Sequence, residues 1–421
     1  MNLTYITKRQ TSSSAFGGLL AITISLFAST ASAQILTLDN AITKAITNNP
    51  SIQSAREMTK AAKARVPQAI TPENPTATVE FEKTPINTLN VDEAMSINYG
   101  VKQTIPFPSK LVSSGKAAKN EYHAAYQMQK QIELNITSEI KKIFADIMLV
   151  DKEIEIENKN RALFSRFTKV AEVKYSTGLS TFDEPVKASI EAADFEAKIA
   201  MLEAEHESLL ANLEYLLNEE MPRDTKFEAP KEPEFNHTLE DLKSLAEKNQ
   251  PELIASLFEK SAAKSRLSLA KQQYLPDLMA EFSYNQQKNL QNAWTGAVGV
   301  SVPLWFLGKQ APAVREASAM KKASENNYLN TKNRLNSAVA ETFERIRSSG
   351  RIVEIYKTTI LPKSRAALKS TELSYSSGKR DFIDLLDAAR KWREYEIDYY
   401  RALADKEKAI AEMETLVGKR L

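Results

Sequence analysis

The chain carries three histidines, His123, His206 and His237, scattered too widely to suggest a shared ligand set. It has no cysteine, which excludes thiol nucleophiles, thiolate metal centres, disulfides and a lipidated N-terminal cysteine. The ten methionines are dispersed, so no soft-metal pathway is written into them. No clustered nucleophile, base or orienting acid is visible, and the expectation is a protein that is not an enzyme, with no cofactor and no bound metal. Basic and acidic residues number 56 and 54, a balance that gives no electrostatic reason to expect nucleic acid. One acidic pair stands out, Asp384 and Asp387, one helical turn apart in what reads as the first turn of a helix. There, carboxylates also favour the positive end of the helix dipole.

The elements that position these residues are written twice. Asn49-Pro50 returns as Gln250-Pro251, and Pro75, Glu80 and Phe81 return as Pro276, Glu281 and Phe282. Ile105-Pro106 and Lys110 return as Val302-Pro303 and Lys309. Tyr175-Ser176-Thr177-Gly178 with Phe182 returns as Tyr375-Ser376-Ser377-Gly378 with Phe382, at an offset of 200. Ordered landmarks at a nearly fixed offset mark a duplicated unit. The predicted organisation is a first repeat over 34–221, a proline-containing linker over 222–237 and a second repeat over 238–421. Each repeat reads as a short helix, two strands, a very long helix, a tight turn and a return helix.

Residues 1–33 read as a secretory signal: Lys8 and Arg9, an apolar run from Leu19 to Ala28, and small residues Ala31 and Ala33 before Gln34. That run is too short to cross a bilayer, whose core asks for about 20 apolar residues. Removing the signal leaves 54 basic and 54 acidic residues.

Between Ser109 and Glu184 there is no proline, and Ala125, Met128, Ile132, Ile136, Ile140, Ile143, Ile147, Val150 and Ile154 recur every three or four residues. A helix of about 65 residues would be a rod of roughly 100 Å. The second copy repeats this with Leu335, Val339, Phe343 and Ile346, and Pro362 is expected to kink or break it. Its return helix carries Phe382, Leu385, Ala389, Trp392, Tyr395, Tyr399 and Ala402 on one face. Strands are expected near 76–83, 94–104, 277–285 and 294–303. Ala77, Val79 and Phe81 alternate with polar residues, and so do Ile97, Tyr99 and Val101; the second copy alternates likewise. Strands of about this length suit either a tilted membrane crossing or a soluble sheet packed on helices. Tyr99, Phe107, Trp294 and Trp305 lie near strand ends, where an aromatic girdle would sit. Four strands cannot close a barrel, and open edges in lipid leave backbone groups unsatisfied, so a membrane barrel must be shared between copies. Two copies give eight strands and three give twelve.

With these features the chain resembles the TolC-like outer-membrane factors, the exit ducts of bacterial efflux pumps and type I secretion systems. The resemblance rests on the duplicated plan and on the turn Tyr375-Ser-Ser-Gly-Lys-Arg-Asp-Phe-Ile-Asp-Leu-Leu-Asp-Ala388. The strand exits Ile105-Pro106-Phe107-Pro108 and Val302-Pro303-Leu304 lean toward the heavy-metal efflux branch. The resemblance implies a mainly α protein with a membrane β-barrel. It would be a homotrimer of four strands per chain, lying in outer-membrane lipid and continuing as an α-helical periplasmic tunnel. It implies a passive duct for small molecules or metal ions, with tips near 175–184 and 375–387. Those tips would be opened by a periplasmic adaptor and an inner-membrane transporter of the RND type. By the same resemblance Asp384 and Asp387 form carboxylate rings. Tyr375 and Arg380 would tether the second hairpin to a neighbour, with Asp183 or Glu184 as the partner position. Thr177-Gly178-Leu179 and Ser377-Gly378-Lys379 would dock the adaptor, with Lys379 departing from the family pattern. A type I secretion duct and a periplasmic coiled-coil scaffold are the alternatives.

Overall fold

The computed structural model describes residues 35–84, 86, 90–223, 225–228 and 235–421. The expected signal at 1–33, and within the linker positions 224 and 229–234, lie outside the described residues.

Each half opens with two helices rather than one. In the first, α1 (Leu38–Asn48) and α2 (Pro50–Ile70) meet at Asn49, which ends one helix and caps the next. Its side-chain oxygen accepts from the Ser51 and Ile52 amides while its Nδ2 donates to the Leu216 carbonyl at 2.8 Å. Pro50 follows at the first helical position, where a missing N–H costs nothing. The second half repeats the corner between α5 (Leu239–Asn249) and α6 (Pro251–Gln272), with Gln250 accepting from the Leu253 amide and Pro251 behind it. The duplicated Asn-Pro/Gln-Pro landmark is therefore a helix corner.

The strands follow: β2 (Thr76–Glu82) and β3 (Ser96–Ile105) from the first half, β5 (Asp277–Gln287) and β6 (Ala293–Ser301) from the second. They form one antiparallel sheet in the order β2-β3-β5-β6, so the two halves meet where β3 pairs with β5. The register aligns the alternation of all four strands. Val79 faces Tyr99, Tyr99 faces Tyr284 and Tyr284 faces Trp294; Ala77, Val101, Phe282 and Gly296 form the next row. One face is thus apolar throughout its middle, and its large side chains are exposed. The opposite face is polar or small apart from Met279, and there Lys102 lies opposite Glu281. A separate two-residue pairing joins β1 (Ile35–Leu36) to β4 (Lys226–Phe227) and seats Phe227 against Phe144.

From the sheet run the long helices. α3 (Pro108–Ser176) has 69 residues, about 100 Å at 1.5 Å per residue. α4 (Asp183–Leu217) returns along it. In the second half, α7 (Gln310–Ile355), a π-helical turn (Tyr356–Ile360) and α8 (Leu361–Ser376) run end to end, and α9 (Phe382–Val417) returns. Pro362 therefore does not break the second rod. The wider π turn just before it lets the Leu361 amide bond the Tyr356 carbonyl, five residues back, which accommodates the hydrogen bond and space that proline denies.

The apolar stripe read on α3 is buried from Ile136 to Val150, whereas Met128 is exposed and Ile154 only half-buried. Beyond Val150 burial passes to Ile156, Phe164, Phe167 and Ala171. Three apolar clusters result: one at α1–α3–α4, one at α5–α7–α9, and one joining both hairpins at their tips. No helix of the described residues is long and apolar enough to cross a membrane.

Candidate functional site: the hairpin tips and the apolar sheet face

Both tips are built by the same helix stop. Gly178 and Gly378 have φ of +72°, a left-handed conformation that a side chain strains. At the first tip the Leu179 amide reaches back to the Lys174 carbonyl and Gly178 to Tyr175; at the second, Lys379 reaches Ser374 and Gly378 reaches Tyr375. This six-to-one and five-to-two pairing closes the last helical turn and leaves Thr177, Leu179, Ser377 and Lys379 at the exposed apices.

Tyr375 is the centre of the tip cluster. It is buried, stacks at an angle on Phe382 with 5.4 Å between ring centroids, and donates its hydroxyl to Glu184 Oε2 at 2.9 Å. The Lys174 ammonium sits 3.8 Å from the ring centroid and donates to the Tyr375 carbonyl. Burial first, and then the bond to Glu184, push the phenol well above its usual pKa. Of the two neighbouring carboxylates, Glu184 and not Asp183 takes this bond within the chain. Arg380 does not join it. Its guanidinium lies 3.7 Å from Asp384, one turn along its own helix. Asp183 is exposed, bonded to Lys187 and Thr181, and held below the usual carboxylate range first by Lys187 and then by Thr181. Asp384 is half-exposed and Asp387 exposed, on the solvent side of the α9 stripe.

Two ion pairs that the sequence did not single out join the hairpins above this cluster. Arg393 donates through Nη1 to both oxygens of buried Glu157, at 3.0 and 3.2 Å, and its guanidinium stands over the Phe195 ring. Arg390 pairs with Glu191, which raises the guanidinium pKa further. Each pair links α9 to the first hairpin, so periodicity within one helix carried no trace of them.

At the other end, Tyr99, Tyr284 and Trp294 stand in one cross-strand row on the apolar face. Phe107 and Trp305 are exposed beyond the opposite strand ends, and Tyr99 to Phe107 spans roughly 25 Å along the strand at about 3.3 Å per residue. A groove of about 790 Å³ runs below the sheet among α2, α3, α6 and α7. Its wall mixes Arg65, Glu121, Met128, Glu259, Arg266 and Glu316 with small alanines. No group of three or more metal-ligating side chains occurs among the described residues.

Residues 242–419 match the family model described as outer membrane efflux protein. Over that stretch the chain is similar to the outer membrane efflux proteins. It is 21% identical over 396 residues to the cobalt-zinc-cadmium resistance protein CzcC of Cupriavidus metallidurans, covering 91% of this chain and 90% of that one. Among solved structures, a membrane protein from Pseudomonas aeruginosa matches with TM-score 0.80 at 16% identity over 91% of this chain and 90% of that one. CusC, whose structures concern folding and transmembrane channel formation, matches with TM-score 0.79 at 15% identity over 91% and 92%. At such identities the likeness to solved structures establishes the fold.

Proposed function

We propose that the chain is the passive outer-membrane exit duct of a tripartite efflux pump, closed at its hairpin tips. The observation that carries this is the sheet register, which gathers the large apolar strand residues other than Met279 on one exposed face while the other is mainly polar or small. A face of that kind belongs against lipid, and a polar face of that kind belongs around water. A coiled-coil scaffold would account for the rods but has no use for such a sheet. The strands β2 and β6 each leave an edge, so copies of the chain must close the barrel. Three copies give the twelve strands of the family plan. Tyr99, Trp294, Phe107 and Trp305 would form its girdles, and the rods would continue as the tunnel.

At the tips, Asp384 and Asp387 of each copy would ring the narrowest passage and favour cations. Tyr375 with Glu184 would hold the second hairpin against the first. Arg380 would lean on Asp384 rather than reach across. The apices Thr177-Gly178-Leu179 and Ser377-Gly378-Lys379 would meet a periplasmic adaptor, and an inner-membrane transporter of the RND type would supply the energy. The CzcC relative and the strand-exit prolines support divalent metal ions as cargo. No chemical step is required of any residue.

Growth of a strain lacking the gene tests the cargo. Reduced tolerance to cobalt, zinc or cadmium salts, restored by the wild-type gene, is expected. Unchanged metal tolerance with new sensitivity to organic toxicants would contradict metal cargo and keep the duct.

A further inference from the structure

The internal repeat exposes an unmet contact. Within one chain, the second tip seats Tyr375, Phe382 and Leu386 on the first hairpin with 3%, 2% and 1% of their surface exposed. Their counterparts 200 residues earlier, Tyr175, Phe182 and Val186, are 47%, 64% and 40% exposed. The acceptor is repeated too: Glu184, which takes the Tyr375 hydroxyl, corresponds to Asp384. A surface duplicated in sequence, buried in one copy and bare in the other, is one half of a head-to-tail interface. In such an interface each hairpin offers the tyrosine face to the hairpin before it and its carboxylate face to the one after.

We propose that Tyr175 donates its hydroxyl to Asp384 of a neighbouring copy, seating the first hairpin tip on the second hairpin of the next chain. This rests on the closed-ring reading above. Phe182 and Val186 then cover the Ala367, Thr371 and Ala388 positions, which correspond to the buried Phe167, Ala171 and Ala188 of the intrachain seam. Asp384 keeps lone pairs for Arg380 and for the passage, since a carboxylate accepts several bonds.

The two seams are not equal. The intrachain seam has Glu157 with Arg393 and Glu191 with Arg390. At the corresponding positions stand Lys357 with Ala193, and Lys391 with Ile190, which make no such pairs across a seam. The contact between copies thus lacks the counterparts of both ion pairs.

The chain has no cysteine, so introduced thiols are the only ones present. Tyr175→Cys/Asp384→Cys, treated with a short bismaleimide in native membranes, should give covalent multimers on a denaturing gel. Tyr375→Cys/Glu184→Cys should give only monomer, because both thiols lie in one chain. Native mass of the untreated wild type separates the possibilities. An oligomer whose 175/384 pair does not cross-link overturns the proposed contact, and a monomeric wild type overturns the ring together with it. As a milder variant, Tyr175→Phe should shift the closed-to-open ratio of the channel about tenfold, the size expected from losing a hydrogen bond to a charged acceptor. An unaltered ratio would contradict the contact.

Discussion

Tyr375 has the most perturbed surroundings at the tips, and its hydroxyl is the one group there whose titration should report closure. Its folded pKa lies above the unfolded value of about 10. The stabilisation is therefore fully present below about pH 10 and is lost only as the pH climbs through the raised folded value. An alkaline absorbance titration of wild type minus Tyr375→Phe should show the missing phenolate appearing later than the bulk tyrosines. Appearance with the bulk would mean that the phenol is not buried against Glu184. Glu157 offers a second test, because removing one member of a buried ion pair leaves the other uncompensated. Glu157→Ala should cost about 3 kcal/mol, read as a lowered thermal midpoint by circular dichroism. A neutral result would show the pair to be replaceable. The tyrosines and the acidic turn were legible from the repeated motif. Lys174, Arg390 and Arg393 were not, because a charged residue on a helix reveals its partner only once the opposing helix is in place.

Helices and strands were legible where a single period ran unbroken. The alternation of β2, β3, β5 and β6 was visible, and the register carries it onto one face. The corner at Asn49 was legible as a landmark but not as a helix boundary, since Asn-Pro signals a stop and a start alike. The steady stripe on α3 hid a change of neighbour near Val150, where the buried face passes from the basal cluster toward the tip cluster. At Pro362, where a kink or a break was expected, the α-helix is interrupted by a π turn and not broken, because proline disfavours a regular α turn but tolerates the wider one, and sequence alone does not choose between a break and a bulge. Glycine at helix ends gives a graded test. Gly178→Ala meets nothing within 4 Å, so it should cost only the left-handed backbone strain of about 1 kcal/mol. Gly418→Ala adds a clash, since its Cβ would lie 2.4 Å from the Asn249 carbonyl oxygen, and should cost about 1–3 kcal/mol more. Equal thermal midpoints for the two variants would refute the close approach of α9's end to the second corner.

At the scale of the whole molecule, a sheet with one exposed apolar face is joined to rods that end in the paired hairpin tips. Extraction follows directly: the protein should stay with membranes in alkaline carbonate and leave them in detergent. Release by alkali alone would place the sheet on a soluble surface. The central claim, a water-filled duct closed by tip carboxylates, is tested most directly by single-channel conductance of the purified protein in a planar bilayer. Wild type would be measured beside Asp384→Ala/Asp387→Ala. Small, cation-favouring conductance in the wild type, larger or less selective in the double variant, is the result predicted. A well-folded preparation that forms no channel would contradict the duct, and a channel indifferent to both substitutions would contradict the carboxylate gate.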